Sequence, residues 1–319
     1  MLKAISIFGV VYIHASGIWA RDSLFRHFWV DVFRFGVPCF IIVWAYFFEI
    51  GYAKRAGRDK LKYQAGKTFH IFIVFLTWSL LYFALRADFS ELTLRRLIVW
   101  HFFGTGWSGQ YFFIILFQLV VLYPILRWAY QHRWIRNIVL LVILIVYILS
   151  SYFSGALGEA TTKLGDRPCI YWIPYVFLGI ALTSRPLFQA PWALVLTVLL
   201  IPGEFALLEH LSLHHTPYVT PVVILSSVLF CLPFFSHRLT PPDWMRQSIE
   251  YIGANTMTIF VANPLIIILI TRLPLPQPQN ELSGALLAIY SLTSTIIVFC
   301  ACLGIAEIIN RTKLKGILN

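Results

Sequence analysis

The chain alternates between long apolar segments and short segments rich in Lys and Arg. A helix needs about 20 mostly apolar residues to cross the hydrocarbon core of a bilayer. The pattern therefore predicts an all-α fold, a polytopic transmembrane helical bundle with about ten spans. The predicted spans are residues 3–20, 28–53, 68–86, 108–126, 137–155, 169–184, 190–208, 218–235, 251–270 and 284–306.

Two features complicate this pattern. Residues 97–107 (LIVWHFFGTGW) are apolar but too short to cross a bilayer, so they are predicted to be interfacial or re-entrant. Many of the predicted spans contain a proline, which frees a backbone carbonyl inside the helix. The resulting kinks either serve helix packing or open a polar cavity, and the sequence allows both interpretations. These prolines are Pro38, Pro124, Pro174, Pro202, Pro233 and Pro264.

Composition supports a membrane environment. Hydrophobic residues make up 59% of the 319 residues and charged residues only 12%, whereas a soluble domain carries about 25% charged residues. We therefore expect one transmembrane domain over residues 1–319 with the lipid bilayer as its solvent. The cysteines show no metal-ligand spacing and are interpreted as small hydrophobic residues, so no metal is expected.

Charge predicts the orientation of the bundle. The formal net charge of +11 comes from basic residues that lie mostly between apolar segments. They therefore report membrane topology, and no nucleic-acid partner is expected. If the N-terminus is inside, the cytoplasmic segments carry roughly twice as many Lys and Arg residues as the outer ones. Because the number of spans is even, both termini are predicted to be cytoplasmic.

Ionisable residues within predicted spans are energetically expensive and rarely face lipid. His14 follows Lys3 by about 16 Å along a helix, which places it near the middle of the membrane or slightly outward. Arg34 lies at a similar depth, and Asp31 is one helical turn away from it. Asp31 and Arg34 either form a structural ion pair or one of them faces a cavity at His14, where Asp31 could orient the imidazole. Residues at compatible depths predict a polar chamber that binds an acceptor, namely Gln110, Tyr111, Glu204 and Asn263.

The predicted cytoplasmic loop 54–67 carries six basic residues and one acidic residue. It is either a topology-determining loop that contacts anionic lipid or a binding surface for a polyanion such as coenzyme A. On the second interpretation, the residues expected to bind acyl-CoA are Lys54, Arg55 and Arg58.

Several segments, in order along residues 1–264, resemble the membrane acyltransferase 3 family. Residues 2–17 (LKAISIFGVVYIHASG) resemble its first helix, in which a basic residue precedes a His by eleven positions. The segments 34–40 (RFGVPCF), 109–124 (GQYFFIILFQLVVLYP), 172–179 (WIPYVFLG) and 252–264 (IGANTMTIFVANP) are similar to four further family motifs. Three positions depart from the family pattern: Lys3 replaces Arg, Trp44-Ala45 replaces Ser-Gly, and Asn263 replaces His.

The resemblance implies an enzyme of the plasma membrane, in bacteria the inner membrane. It would be an acyl-CoA-dependent O-acyltransferase that moves an acyl group, usually acetyl, from cytoplasmic acyl-CoA to a hydroxyl of an envelope carbohydrate or lipid-linked glycan. Acetyl-CoA would be a co-substrate, with no bound cofactor. A neutral His14 can accept the hydroxyl proton, Arg34 is the candidate for oxyanion stabilisation, and Lys3 could hold a phosphate of coenzyme A.

Two other functions fit the same residues. A transporter or flippase of a saccharide or lipid-linked glycan would also use a polar chamber and abundant aromatic residues. A non-enzymatic scaffold on the same fold would need neither His14 nor an acyl donor. Acyl-CoA consumption in the presence of envelope glycans distinguishes the enzyme from both.

Overall fold

The computed structural model describes residues 1–19, 24–86, 93–152, 165–184, 192–213, 216–235, 241–273, 284–313 and 315. These segments are helical, with no strand among them, so the all-α prediction is confirmed for this part of the chain. The helices are α1 (Leu2–Ala15), α2 (Leu24–Val32), α3 (Gly36–Ala53), α4 (Gly57–Arg86), α5 (Leu94–Phe102), α6 (Gln110–Gln131), α7 (Arg133–Tyr152), α8 (Ile173–Ala181), α9 (Ala193–His210), α10 (Pro221–Phe235), α11 (Asp243–Ala254), α12 (Thr256–Arg272) and α13 (Gly284–Asn310). Short 3-10 turns cover Phe33–Phe35 and Cys169–Trp172.

Within the described residues, six helical segments are long and apolar enough to cross a membrane: Leu24–Ala53, α4, α6, α7, α9 and α13. The pair α11 and α12 passes the same test as one span but bends by 73° at Asn255. Shorter apolar helices occupy Leu2–Ala15, Cys169–Ala181 and Pro221–Phe235. All ten predicted spans therefore overlap helices, although their ends at 20, 153–155 and 190–191 lie outside the described residues. The count of ten spans and the orientation stay predictions.

The basic segment 54–67 is not a loop, and that prediction is wrong. Only residues 54–56 form a turn, and α4 begins at Gly57 and continues for 30 residues. Residues such as Lys60, Lys62 and Gln64 are good helix formers, so the helix extends about three turns beyond its apolar part. In contrast, α5 has nine residues, which agrees with the prediction that 97–107 is too short to span.

The described chain divides into two compact units. Unit 1 contains Met1–Phe33, His70–Tyr111 and Pro241–Asn319. In it, α1 packs against α2, α11, α12 and α13. The approach of α1 to the 3-10 turn after α2 requires Gly9, because a Cβ there would lie 2.6 Å from Cδ1 of Phe33.

Unit 2 contains Arg34–Phe69 and Phe112–Thr240. Here α3 packs along α8, and α10 contacts α3, α7, α8 and α9. A Cβ at Gly179 would lie 2.6 Å from both the Cβ of Ala45 and the carbonyl oxygen of Ile42. Small residues on both helices therefore allow the close approach, as is usual between membrane helices.

Two prolines inside helices, Pro124 and Pro264, free carbonyls that side-chain amides occupy. Pro264 cannot donate to the carbonyl of Phe260, and Nδ2 of Asn263 donates to that oxygen at 2.6 Å. Pro124 likewise frees the carbonyl of Val120, which accepts a 2.6 Å hydrogen bond from Nε2 of Gln64. Both interpretations of the prolines, helix packing and a polar cavity, stay predictions.

Candidate functional site

His14 lies in the last turn of α1 and is partly exposed. Its Nδ1 is 2.8 Å from Oγ of the exposed Ser108, and both residues belong to unit 1. In the tautomer that carries its proton on Nδ1 and donates it to Ser108, Nε2 is the basic nitrogen of the ring. The Ser108 hydroxyl can accept or donate, so the contact orients the imidazole and is compatible with the tautomer that general-base chemistry needs.

The loop that carries Ser108 is held by Gln110, at the start of α6. Oε1 of Gln110 accepts from the backbone N–H of Gly106 at 2.7 Å, and Nε2 donates to Oγ of Ser79 at 3.0 Å. Indole Nε1 of Trp107 also donates to Ser79, at 3.4 Å. Gln110 and Ser79 are fully buried, so this polar network holds the loop in place from the interior of unit 1.

Glycines give the same loop its shape. Gly104 and Gly109 have positive φ angles of 64° and 91°, a region that side chains rarely adopt. A Cβ at Gly109 would also lie 2.8 Å from Cζ of Phe260. The loop is thus fitted closely against α12, which stabilises the position of Ser108.

The other predicted residues of unit 1 have different settings. Asp31 lies in the last turn of α2 and Lys3 in the first turn of α1, and both are partly exposed, as is Tyr111. Asn263 is fully buried on α12, and its Nδ2 satisfies the helix carbonyls of Ile259 and Phe260. The amide groups of Gln110 and Asn263 thus have local structural roles, and their contact with an acceptor stays a prediction.

Arg34 and Glu204 belong to unit 2. The guanidinium of Arg34, in the 3-10 turn before α3, lies over the ring of Tyr218 at 5.4 Å from its centroid. The buried carboxylate of Glu204, on α9, accepts a 2.6 Å hydrogen bond from the hydroxyl of Tyr152. Each of these charged groups thus lies against a tyrosine side chain of unit 2.

The basic residues expected to bind acyl-CoA are exposed at the junction of α3 and α4. Arg55 donates to the carbonyl of Gly51, one of the last carbonyls of α3, and stacks over the ring of Tyr63 at 4.1 Å. Lys54 and Arg58 lie beside it with exposed side chains. Arg55 thus helps to end α3, and Lys54 and Arg58 present charge to solvent.

Comparison with known proteins now adds to this geometry. The sequence profile of acyltransferase 3, described as an acyltransferase domain, matches residues 1–307. The chain belongs to the membrane acyltransferase 3 family. No curated protein and no solved structure matches it. The protein is thus a membrane acyltransferase, and its apolar helices make it a multi-pass one.

The acyltransferase contains functional candidates that the sequence alone did not reveal. Ser108 lies in a loop with no periodic pattern, and Asp166 lies between predicted spans, where charged residues are expected. Glu49 lies near the end of α3, and its carboxylate is buried. It accepts hydrogen bonds from the Tyr123 hydroxyl at 2.6 Å and from Nε of Arg127 at 2.9 Å.

Metal binding has no visible basis in the described ranges. They contain no group of three His, Cys, Asp or Glu side chains that could hold an ion. That the acyltransferase works without a metal or bound cofactor stays a prediction.

Proposed function

We propose that this acyltransferase moves an acyl group, acetyl in the simplest case, from cytoplasmic acyl-CoA to a hydroxyl of an envelope carbohydrate in the plasma membrane. The observation that supports it most directly is the 2.8 Å contact between Nδ1 of His14 and Oγ of Ser108 in a chain of this family. An imidazole is expensive to place within a membrane protein, and the contact with Ser108 orients it for a chemical use.

His14 acts as the general base. Nε2 takes the proton of the acceptor hydroxyl. The hydroxyl oxygen attacks the thioester carbonyl at the same time, which forms a tetrahedral oxyanion. When that intermediate collapses, the carbon–sulfur bond breaks and the coenzyme A thiolate leaves. The imidazolium then returns its proton to the thiolate, so the enzyme ends in its starting state.

Charged residues support the two substrates in this scheme. Arg34 stabilises the oxyanion, since its guanidinium cannot be deprotonated and donates to a developing negative charge. Asp31 orients the imidazolium. Lys3, Lys54, Arg55 and Arg58 attract the phosphates of coenzyme A, and the acceptor contacts Tyr111 and Glu204 together with Gln110 and Asn263.

The test is acyl transfer by purified protein with radiolabelled acetyl-CoA and a panel of envelope glycans. Wild type, His14→Ala and His14→Gln are compared at matched levels of folded protein. Both variants are expected to lose about 10²–10⁴-fold in kcat, because glutamine accepts a hydrogen bond but cannot take up a proton at neutral pH. The matched control is His70→Gln, at an exposed position on α4. Near-wild-type transfer by His14→Gln would refute the general base, and glycan movement without any acylation would favour a transporter.

A further inference from the structure

The turn at residues 165–168 of unit 2 is held by its backbone. Nε2 of Gln118 donates to the carbonyl of Arg167 at 2.9 Å, and Oε1 of Gln118 accepts from the N–H of Cys169 at 3.0 Å. Indole Nε1 of Trp172 donates to the carbonyl of Asp166 at 2.7 Å. These three bonds fix the turn without using the side chain of Asp166.

The carboxylate of Asp166 is only partly satisfied. It accepts from the backbone N–H of Tyr218, and the guanidinium groups of Arg34 and Arg167 act on it electrostatically. Although the residue is partly exposed, Oδ1 is buried and has no hydrogen-bond partner in the described part of the chain. Desolvation outweighs both arginines and raises the pKa of Asp166 to about 6. A half-satisfied buried carboxylate is costly and is retained where it has a use.

Aromatic and cationic side chains surround the carboxylate of Asp166. The ring of Tyr218 lies under Arg34 at 5.4 Å, and its centroid is 5.9 Å from that of the buried Trp172. Arg167 folds back over Gly165, where a Cβ would lie 3.1 Å from its Nη1. The cluster thus combines one buried acceptor oxygen that lacks a hydrogen-bond partner with two guanidinium groups and two aromatic rings.

We propose that Asp166 and Arg167 bind the acceptor, and that this acceptor is a hydroxyl-rich saccharide bearing a negative charge. Oδ1 of Asp166 accepts a hydrogen bond from a saccharide hydroxyl, and Arg167 pairs with a carboxylate or phosphate of the same molecule. Arg34, Arg167 and Asp166 together carry a net positive charge, which favours an anionic ligand over a neutral one. The assignment of this saccharide as the acceptor rests on the proposed acyltransferase function.

The test measures binding without an acyl donor. Saturation-transfer NMR on detergent-solubilised protein uses methyl glucuronoside as the anionic probe and methyl glucoside as the neutral one. Wild type is expected to give the stronger signal with the glucuronoside. Asp166→Asn should reduce the signal of both probes at least fivefold, because an amide cannot match the carboxylate at a hydroxyl. Arg167→Gln should remove the preference for the anionic probe alone.

The matched control is Asp243→Asn, since the carboxylate of Asp243 is fully exposed in a weak ion pair with Arg246. Unfolding temperatures check that each variant is folded, and Arg167→Gln keeps the test decisive if Asp166→Asn does not fold. Wild-type signals in both variants would overturn the proposal. Binding that depends on Asp166 without any acyl transfer would instead count against the proposed function and leave the site intact.

Discussion

Oγ of Ser108 lies 2.8 Å from Nδ1 of His14, at the end of a loop whose opposite side is bound to α4 through Ser79. This hydrogen-bonding partner of the proposed base thus comes from a segment 94 positions away along the chain. If this hydrogen bond sets the tautomer, its loss should affect turnover more than substrate binding.

Ser108→Ala is expected to lower kcat about tenfold, the equivalent of one hydrogen bond of about 1.4 kcal/mol, with little change in KM for acetyl-CoA. Ser108→Thr keeps the hydroxyl and should retain most of the activity. Steady-state acyl-transfer kinetics measure both. Ser184→Ala, which removes an exposed hydroxyl from the end of α8, is the control. Equal kcat for Ser108→Ala and wild type would show that Ser108 does not act on His14.

The ion pair between Glu49 and Arg127 should show the energetics of a buried pair. Arg127→Met leaves the carboxylate of Glu49 without its cation and should cost about 3–5 kcal/mol of unfolding free energy. The double variant Glu49→Gln/Arg127→Met should cost much less, because no charge is then left buried. Denaturation of all four proteins in detergent gives the coupling energy. Additive effects would contradict the pairing.

Lys62→Met is a useful comparison for this cycle. Lys62 and Asp59 form an ion pair at 3.7 Å on the first turns of α4, but both side chains are largely exposed. Exposed pairs of this kind contribute about 0–1 kcal/mol. A loss as large as that of Arg127→Met would show that burial is not the deciding factor.

Gln64→Leu should destabilise the protein by about 1–3 kcal/mol, since it leaves the carbonyl of Val120 without a donor in an apolar setting. The same substitution in a Pro124→Ala background should cost far less, because the restored N–H at position 124 can donate to Val120. The double-mutant cycle is followed by thermal unfolding. Gln131→Leu, at the exposed end of α6, controls for the added apolar side chain. An equal cost in both backgrounds would refute this account of the kink.

The carboxyl of Asp166 predicts a pH dependence of stability. Its pKa is raised from 3.8 to about 6 by burial, despite the nearby Arg34 and Arg167. Between these values the folded protein binds more protons than the unfolded chain, so the free energy of unfolding falls as pH rises from about 4 to about 6. Asp166→Asn removes this contribution, so its stability should decline less over that range. Unfolding temperatures across pH, with Asp243→Asn as control, measure it. The same decline in both variants would contradict the assignment.

The sequence predicted much of the helical architecture because apolar length is a local property. Each predicted span overlaps a helix, and the short segment 97–107 contains only a brief one. The prediction of a loop at 57–67 is wrong because a polar segment can also be helical, and the Lys and Gln residues of this segment have high helix propensity.

The polar contacts of the candidate site were much less predictable. His14 and Arg34 stood out because charged groups are costly in a membrane. Their partners, Ser108 and Tyr218, are ordinary residues whose importance depends on contacts 94 and 184 positions away. Likewise, nothing local to Glu49 indicates that Arg127 would lie beside it.

The side-chain amides that donate to the carbonyls freed by Pro124 and Pro264 also bear on proton leakage across the membrane. Protons cross membranes along files of water molecules, which are anchored by exposed backbone carbonyls. The freed carbonyl of Val120 accepts a hydrogen bond from Gln64, and that of Phe260 accepts one from Asn263. Each proline therefore leaves one fewer anchor for such a file. A membrane enzyme can in this way keep prolines within its helices without adding exposed carbonyls that would anchor such a file.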